Sequence, residues 1–366
     1  MQASHQWATR PADQRFTSLI NLADHCEQMK QISRGKVVPS KAIKLVPVDN
    51  PEHKGLVVVG PNGAPAAPTN WSFGQLCQRA ASPAGFLREL PAELVADVLN
   101  YRLHVERPVE DLGVLLTMPP TAKVNGQAAE LRAVTGPNYG RVWNSTIARS
   151  LVDRFGDGIT GHFRVPGEFG KRVEVTKDNT TIYASDRDMF VFLADEDRRI
   201  EVPGRRDGKS GSLARGFFIW NSEVGAQTFG IAFFLFDYVC CNRIVWGAEG
   251  YQEIRIRHTV SGPHRWVSEV EPAIEHFTKG SDRPVVALIE SAQQKKVEDL
   301  DKFLQNRFTK PQASAIKAAF QSDEQRDIET LWDVTTAVTA YARGLPYQDE
   351  RVKLEREGGK ILALAK

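Results

Sequence analysis

Between Gly216 and Val239 the chain carries two strongly apolar segments, 216–220 and 229–239, separated by the polar Asn221-Ser222-Glu223-Val224-Gly225. Apolar runs bounded by turn residues read as strands, and a short polar connection makes them a hairpin. The second run holds Gly230 and Asp237 and is far too short to span a bilayer. Around this hairpin the chain is β-rich. Candidate strands lie at 171–176, 181–185, 189–194, 214–221, 227–239, 243–248 and 252–258, divided by Gly, Asp and Asn turns. Helical patterns flank this block and do not alternate with its strands. That order predicts an α+β fold, a curved antiparallel β-sheet packed by helices, with a helical C-terminal region.

The flanks read as follows. Residues 1–15 are expected to be a flexible N-terminal tail, 16–265 the α+β core and 266–366 the helical region. Three- and four-residue apolar spacing predicts a helix over 15–32. Strands are expected at 41–48 and 55–60, and a loop at 61–69, where Gly63 and three prolines cluster. Helices follow over 71–81 and 83–103, with Pro83 and Pro91 at helix starts. Two strands (111–118, 128–135) and a helix (144–155) complete the first half, and Pro284, Pro311 and Pro346 break the C-terminal helices. A chain of 366 residues exceeds what one core usually serves. Four cysteines, two of them adjacent, suit a reducing cytoplasm, and the first residues lack the apolar core of a secretory signal.

Four stretches resemble a known family: 71–103, 131–151, 216–248 and 331–351. These include WSFGQLCQRAASPAGF, GPNYGRVWNSTIARSL, GFFIWNSEVGAQTFGIAFFLFDYVCCNRIVWGA and LWDVTTAVTAYARGLP. The chain is similar to the phage- and plasmid-borne proteins grouped as "domain of unknown function 932". One departure is visible: the family often has Cys-x-Asn-Gly after the long apolar strand, whereas here Cys240-Cys241-Asn242 runs into Arg243. The resemblance implies a mobile-element context in a bacterial host and no particular activity. By analogy of fold it also suggests single-strand annealing proteins, although a fold does not fix a function.

Charge supplies the main local signal. Residues 198–215 hold six basic side chains, Arg198, Arg199, Arg205, Arg206, Lys209 and Arg215, against Glu201 and Asp207, a net of +4. The whole chain carries only +2, so the remainder sums to −2. Arginines among Gly204, Gly208 and Gly211 are suited to hold a phosphate backbone without reading bases. Lys171, Arg172 and Lys177 extend this candidate track. Tyr139, Trp143 and Phe169 are candidate stacking platforms, because every base has a π-face. Trp220 is a further candidate, with core packing as its alternative, and Phe217 and Phe218 read as core. The competing view of the basic stretch is a solvated hairpin.

Other chemistry is weakly signalled. Ser222 lacks a Gly-x-Ser-x-Gly elbow, and Asn221 and Ser222 are expected to cap backbone groups of a turn. Cys240, Cys241, His258 and His264 have no metal-ligand spacing, and the two cysteines read as small buried hydrophobes. Asp186, Asp188, Asp195, Glu196 and Asp197 could hold Mg²⁺ for a nuclease, with Asp186 and Asp188 facing one side of a strand. No phosphate-binding loop or dinucleotide fingerprint occurs, and no cofactor is expected. The last helix, Gln348–Leu364, reads as solvated or as a subunit contact. The function expected is therefore a non-enzymatic, sequence-independent single-stranded DNA-binding protein acting in annealing or recombination. Its expected partners are single-stranded DNA, copies of itself and phage or host recombination proteins, and no membrane. The alternatives are a protein-interaction or counter-defence module without DNA affinity, and a metal-dependent nuclease.

Overall fold

The computed structural model describes residues 10–49, 55–106, 110–118, 129–166, 173–202, 211–237, 242–245, 253–345 and 348–366. Its first strands are β1 (Arg15–Phe16), β2 (Ser33–Pro39), β3 (Lys44–Pro47), β4 (Leu56–Val59), β5 (Pro65–Pro68), β6 (Asp111–Thr117) and β7 (Ala129–Thr135). After them come β8 (Phe163–Arg164), β9 (Ile182–Ala184), β10 (Met189–Val202), β11 (Gly211–Asn221), β12 (Phe229–Asp237), β13 (Asn242–Val245) and β14 (Ile254–Ile256). Helices α1 (Leu19–Gln31), α2 (Asn70–Arg79), α3 (Ala84–Leu87), α4 (Ala92–Tyr101) and α5 (Asn144–Phe155) precede the long β10–β11 hairpin. A helical turn and a π turn at 262–270 lead into α6 (Glu271–Lys279), α7 (Arg283–Gln294) and α8 (Leu300–Gln305). The chain ends in α9 (Lys310–Glu324), α10 (Leu331–Arg343) and α11 (Gln348–Ala363).

The α+β class and the helical C-terminal region are as the sequence predicts, but the strands build two sheets where one was expected. The larger is antiparallel throughout, in the order β1-β9-β10-β11-β12-β13, with β8 on β10 and β14 on β12. The smaller runs β2-β6-β7-β5-β4-β3 and is antiparallel except where β5 lies parallel to β7. Strand β5 falls in the predicted loop. Its prolines stand at the two ends, where a missing N–H is tolerated, and the small Ala66 and Ala67 between them are buried. Conversely, Val173–Thr176 is not a strand; the Thr176 N–H closes a turn onto Asn179 Oδ1 at 2.7 Å.

Period-two alternation sends the larger sheet's side chains to two cores. Met189, Val191, Leu193, Phe217, Ile219, Phe229, Ile231 and Phe233 pack with α1, α5 and α6. Phe190, Phe192, Phe218, Trp220 and Phe234 occupy the opposite face, with Phe192 and Phe234 stacked at 4.7 Å. Trp220 and Phe218 are thus packed in the core, and Trp220 presents no open face for a base to stack on. The glycine inside the apolar run has a packing reason. Gly230 lies opposite Trp220 and Gly216 opposite Phe234, and a Cβ at either site would stand 2.1 or 2.2 Å from ring atoms.

At the far end of the hairpin, Ile200, Val202, Leu213 and Leu235 join the core of α7, α9, α10 and α11. The expected N-terminal tail is docked from Arg10 onward: Arg10 is buried and pairs with Asp188 at 2.7 Å, and β1 pairs with β9. A buried charge needs such a partner. Among the described residues, no helix is long and apolar enough to cross a membrane.

Candidate functional site

The turn between β11 and β12 is buried, which its polar sequence does not suggest. Asn221, Ser222, Glu223 and Val224 are all at most 2% exposed. Every polar group of a buried turn needs a partner. The expected capping is present: Ser222 Oγ accepts the N–H groups of Val224 and Ala226 and donates to the Arg187 carbonyl at 2.7 Å. Asn221 Nδ2 donates to the Val142 carbonyl and to Asn144 Oδ1. The turn's own carbonyls are met by side chains from outside the hairpin. Tyr139 Oη donates to Ser222 O at 2.8 Å, and Arg141 Nε to Glu223 O at 2.8 Å. Trp71 Nε1 and Gln75 Nε2, both on α2, donate to Val224 O. The tip of the larger sheet is therefore plugged into the smaller sheet and its helix.

Beneath this plug lies a buried ion pair. Arg132, in the centre of β7, approaches Glu223 at 3.2 Å, with both side chains at most 3% exposed. Glu223 Oε1 also accepts the Asn144 N–H at 2.8 Å at the start of α5, where a helix favours negative charge. Arg132 continues to the Asp186 carbonyl at 2.8 Å and to Ser33 Oγ at 3.4 Å. One carboxylate and one guanidinium thus join β2, β7, α5 and the β9–β10 turn.

Above the pair, arginines lie over aromatic rings. The Arg141 guanidinium is 5.6 Å from the centroids of both Tyr139 and Trp143, and that of Arg187 is 5.5 Å from Trp71. All five residues are half-buried, so each ring and guanidinium keeps part of its surface in solvent. Gly35 of β2 lies against Arg141, since a Cβ there would be 3.3 Å from Nη1. Arg34 and Lys36 of the same edge strand are exposed, and alternation turns them to the other face of the sheet, alongside Leu116 and Val114. Tyr139 stacks on His258 at 4.8 Å, and burial raises its hydroxyl pKa.

The sequence-predicted residues divide between distant places. Tyr139 and Trp143 meet at the arginine surface. Arg198 and Arg199 are exposed beyond the β10 bulge, where Asp195 Oδ1 accepts the N–H groups of Asp197 and Arg198. They stand about 30 Å along the strand from Met189, at the strand rise of ~3.3 Å per residue. Lys177 is exposed and lines a cavity of about 320 Å³ with Asp13, Arg15, Asp24 and His25. Lys171, Arg172, Phe169, Arg205, Arg206 and Lys209 lie outside the described residues.

Arg215 is a correction. It is 0% exposed, so its guanidinium is closed to a phosphate. Instead it caps the C-terminus of α6, donating to the carbonyls of Phe277, Gly280 and Thr278, and pairs with Asp282 at 3.0 Å before α7. The orphan carbonyls of a helix end and a carboxylate satisfy a cation that water cannot reach.

The acidic candidates do not converge. Asp186 is exposed while Asp188 is buried against Arg10 and Ser185, so the two do not share a face. Asp197 pairs with Arg164 and His162, and the side chain of Glu196 lies outside the described residues. Among the described residues no group of three His, Cys, Asp or Glu is placed to hold a metal ion. Cys240 and Cys241 also lie outside them, whereas Cys26 and Cys77 are free and buried, with burial raising Cys77 to about 11.

His258 gives this region a pH response. Burial, aided by the Arg141 cation, lowers its pKa from 6.5 to about 4, while its contact with the Gly140 carbonyl opposes the shift. The unfolded chain binds this proton more readily, so stability is full above pH ~6.5 and falls as pH drops toward ~4. The ceiling is about 3 kcal/mol, at 1.36 kcal/mol per pKa unit. Burial lowers His25 as well, in the same direction. Urea unfolding between pH 4 and 7 should therefore show a steep loss of stability that His258→Gln reduces without abolishing.

No curated protein and no solved structure matches the chain. Residues 174–354, from the approach to β9 through the β10–β11–β12 hairpins to the C-terminal helices, match the model of a family described as "Domain of unknown function (DUF932)". Over that stretch, which includes the buried 221–224 turn and the whole Arg215 cap, the chain belongs to the DUF932 family.

Proposed function

We propose that the protein binds single-stranded nucleic acid without sequence preference, as an oligomer, in the annealing or recombination of mobile-element DNA. The observation that supports this reading is the half-exposed surface on which Arg141 covers Tyr139 and Trp143 and Arg187 covers Trp71. Stacked guanidinium and ring planes accept any base face, and the cations meet the phosphates between them. The plug below supports rigidity, because Glu223 and Ser222 fix Arg141 and Tyr139 through backbone carbonyls. Arg198 and Arg199 lie toward the other end of the hairpin and make a second phosphate contact region for a strand running its length.

The test is fluorescence anisotropy with labelled oligothymidylate across a salt series. Arg187→Ala should weaken binding and reduce the log–log salt slope by about 0.7, the share of one phosphate contact on a single strand. Combined replacement of Arg205, Arg206 and Lys209 by Ala should reduce it by about two units on the same basis. Absence of binding by the wild-type protein at low salt would overturn the proposal and leave the protein-interaction alternative. Mg²⁺-dependent cleavage of the oligonucleotide would favour the nuclease.

A further inference from the structure

Strand β2 ends the smaller sheet on one side, and among the described residues it pairs only with β6. The bonds just beyond its two ends fix which backbone groups are used. The Met118 N–H donates to the Ile32 carbonyl and the Ser40 N–H to the Glu110 carbonyl, each between residues directly opposite in the register. Bonded pairs recur every second residue in an antiparallel ladder. Residues 34, 36 and 38 therefore bond to β6, and 33, 35, 37 and 39 turn their backbone outward. Pro39 fits this count, because its missing N–H falls on the open side. The Ser33 carbonyl accepts Arg34 Nη1 at 2.8 Å, which leaves the N–H and C=O of Gly35 and of Val37 as the open groups. Among the described residues no side chain or loop bonds to them, and Arg34 to Val37 are exposed in succession.

We propose that this edge takes an extended acidic segment of a partner protein as an added antiparallel strand. Charge selects the segment. Residues 28–43 hold Lys30, Arg34, Lys36 and Lys41 and no acid, a net of +4 in a chain of +2. None of the four forms an ion pair among the described residues. Arg34 does bond to the Gln31 and Ser33 carbonyls, which leaves its charge uncompensated. Strand β6 adds one acid, Asp111, opposite Pro39 at the far end. Two copies of β2 paired with each other would gather these cations at one seam, so the edge is barred to a second copy. A phosphate backbone would answer the charge, but it only accepts hydrogen bonds and would face the two outward carbonyls. A peptide backbone both donates and accepts. The two faces then set the side chains. Residues opposite Arg34 and Lys36 gain from a carboxylate, and one opposite Val37, which is 56% exposed, gains from an apolar group. The residue opposite Gly35 meets no Cβ.

The inference is independent of nucleic-acid affinity, so its first test contains no nucleic acid. The probe is the fluorescein-labelled peptide TVETEVDT, followed by anisotropy with the full chain. It should bind at low salt with a dissociation constant below about 1 mM, whereas TVKTKVKT should not bind. K36E should raise that constant about 10-fold, since an opposite charge becomes a like charge across the added pair. V37P removes an outward N–H and no bond to β6, so it should weaken binding with circular dichroism unchanged. Methylation of peptide nitrogens separates strand addition from charge alone and needs no change to the protein. Methyl groups on the valine and threonine nitrogens should abolish binding. Methyl groups on the glutamate nitrogens, whose N–H groups face away from β2, should not. No binding of the acidic peptide at about 1 mM, equal effects of the two methylation patterns, or unchanged affinity of K36E would each overturn the proposal. Displacement of the peptide by oligothymidylate, with K36E weakening both alike, would assign the edge to nucleic acid and overturn it as well.

Discussion

Glu223→Ala should destabilise the protein by about 3–5 kcal/mol, the cost of breaking a buried ion pair from one side. Among the described residues, the Arg132 guanidinium would remain almost fully buried without a countercharge, held only by the Asp186 carbonyl and Ser33. The N–H of Asn144 would lose its acceptor at the start of α5. Replacing both partners by apolar side chains, as in R132M/E223L, should recover much of the loss, because a pair of matched hydrophobes carries no desolvation cost. Urea denaturation monitored by tryptophan fluorescence reads both variants. A loss under 1 kcal/mol for Glu223→Ala would mean that the pair is solvated and that the turn is not a plug.

Gly140→Ala should cost about 3 kcal/mol, the upper end of the range for overpacking, although only one methyl group is added. A Cβ there would stand 1.7 Å from the Thr259 carbonyl oxygen and 2.4 Å from its carbon. No rotamer change relieves a contact with backbone. The Gly140 N–H also donates to the His258 carbonyl, so the segments 136–143 and 257–262 would part together. Tyr139 and His258 would lose their stacking, and oligonucleotide affinity should fall with stability. Gly85→Ala is the control. Nothing lies within 4 Å of its Cβ position, it sits in α3, and alanine favours a helix by up to about 1 kcal/mol.

The sequence made the helices and long strands legible because their burial follows a simple period. Helix α5 begins and ends where its pattern does, and β6 and β7 fall within a residue or so of their predicted bounds. Strand β5 was hidden because its prolines stand at the ends of a two-alanine core, where composition signals a loop. The division into two sheets was hidden for another reason: period two shows which face a residue takes, not which strand it will pair with.

At the candidate site, Tyr139 and Trp143 were found because aromatic residues beside glycines and a proline have little local packing to explain them. Arg141, Arg187 and Trp71 were missed, since their stacking joins residues as far apart as Trp71 and Arg187. Arg132 did carry a readable signal. A charge amid Leu131, Ala133 and Val134 implies a buried partner, yet nothing local identifies Glu223 as that partner. Arg215 misled for the complementary reason. It was grouped with basic residues six or more positions away, whereas its immediate neighbours Leu213, Ala214, Gly216 and Phe217 are apolar and its neighbours in space are the carbonyls at the end of α6.

The cap formed by Arg215 bears on whether the chain can be divided. Its guanidinium rises from the middle of β11, between the core shared with α1 and α5 and the core of the C-terminal helices, and it is bound by groups from 277–282. A fragment ending near residue 265 would keep this cation and lose every one of those acceptors, and Ile200, Val202 and Leu213 would lose their cover at the same time. The change from strands to helices near residue 265 is therefore a seam of secondary structure and not of stability. Sheet and helices should unfold together, in a single urea transition.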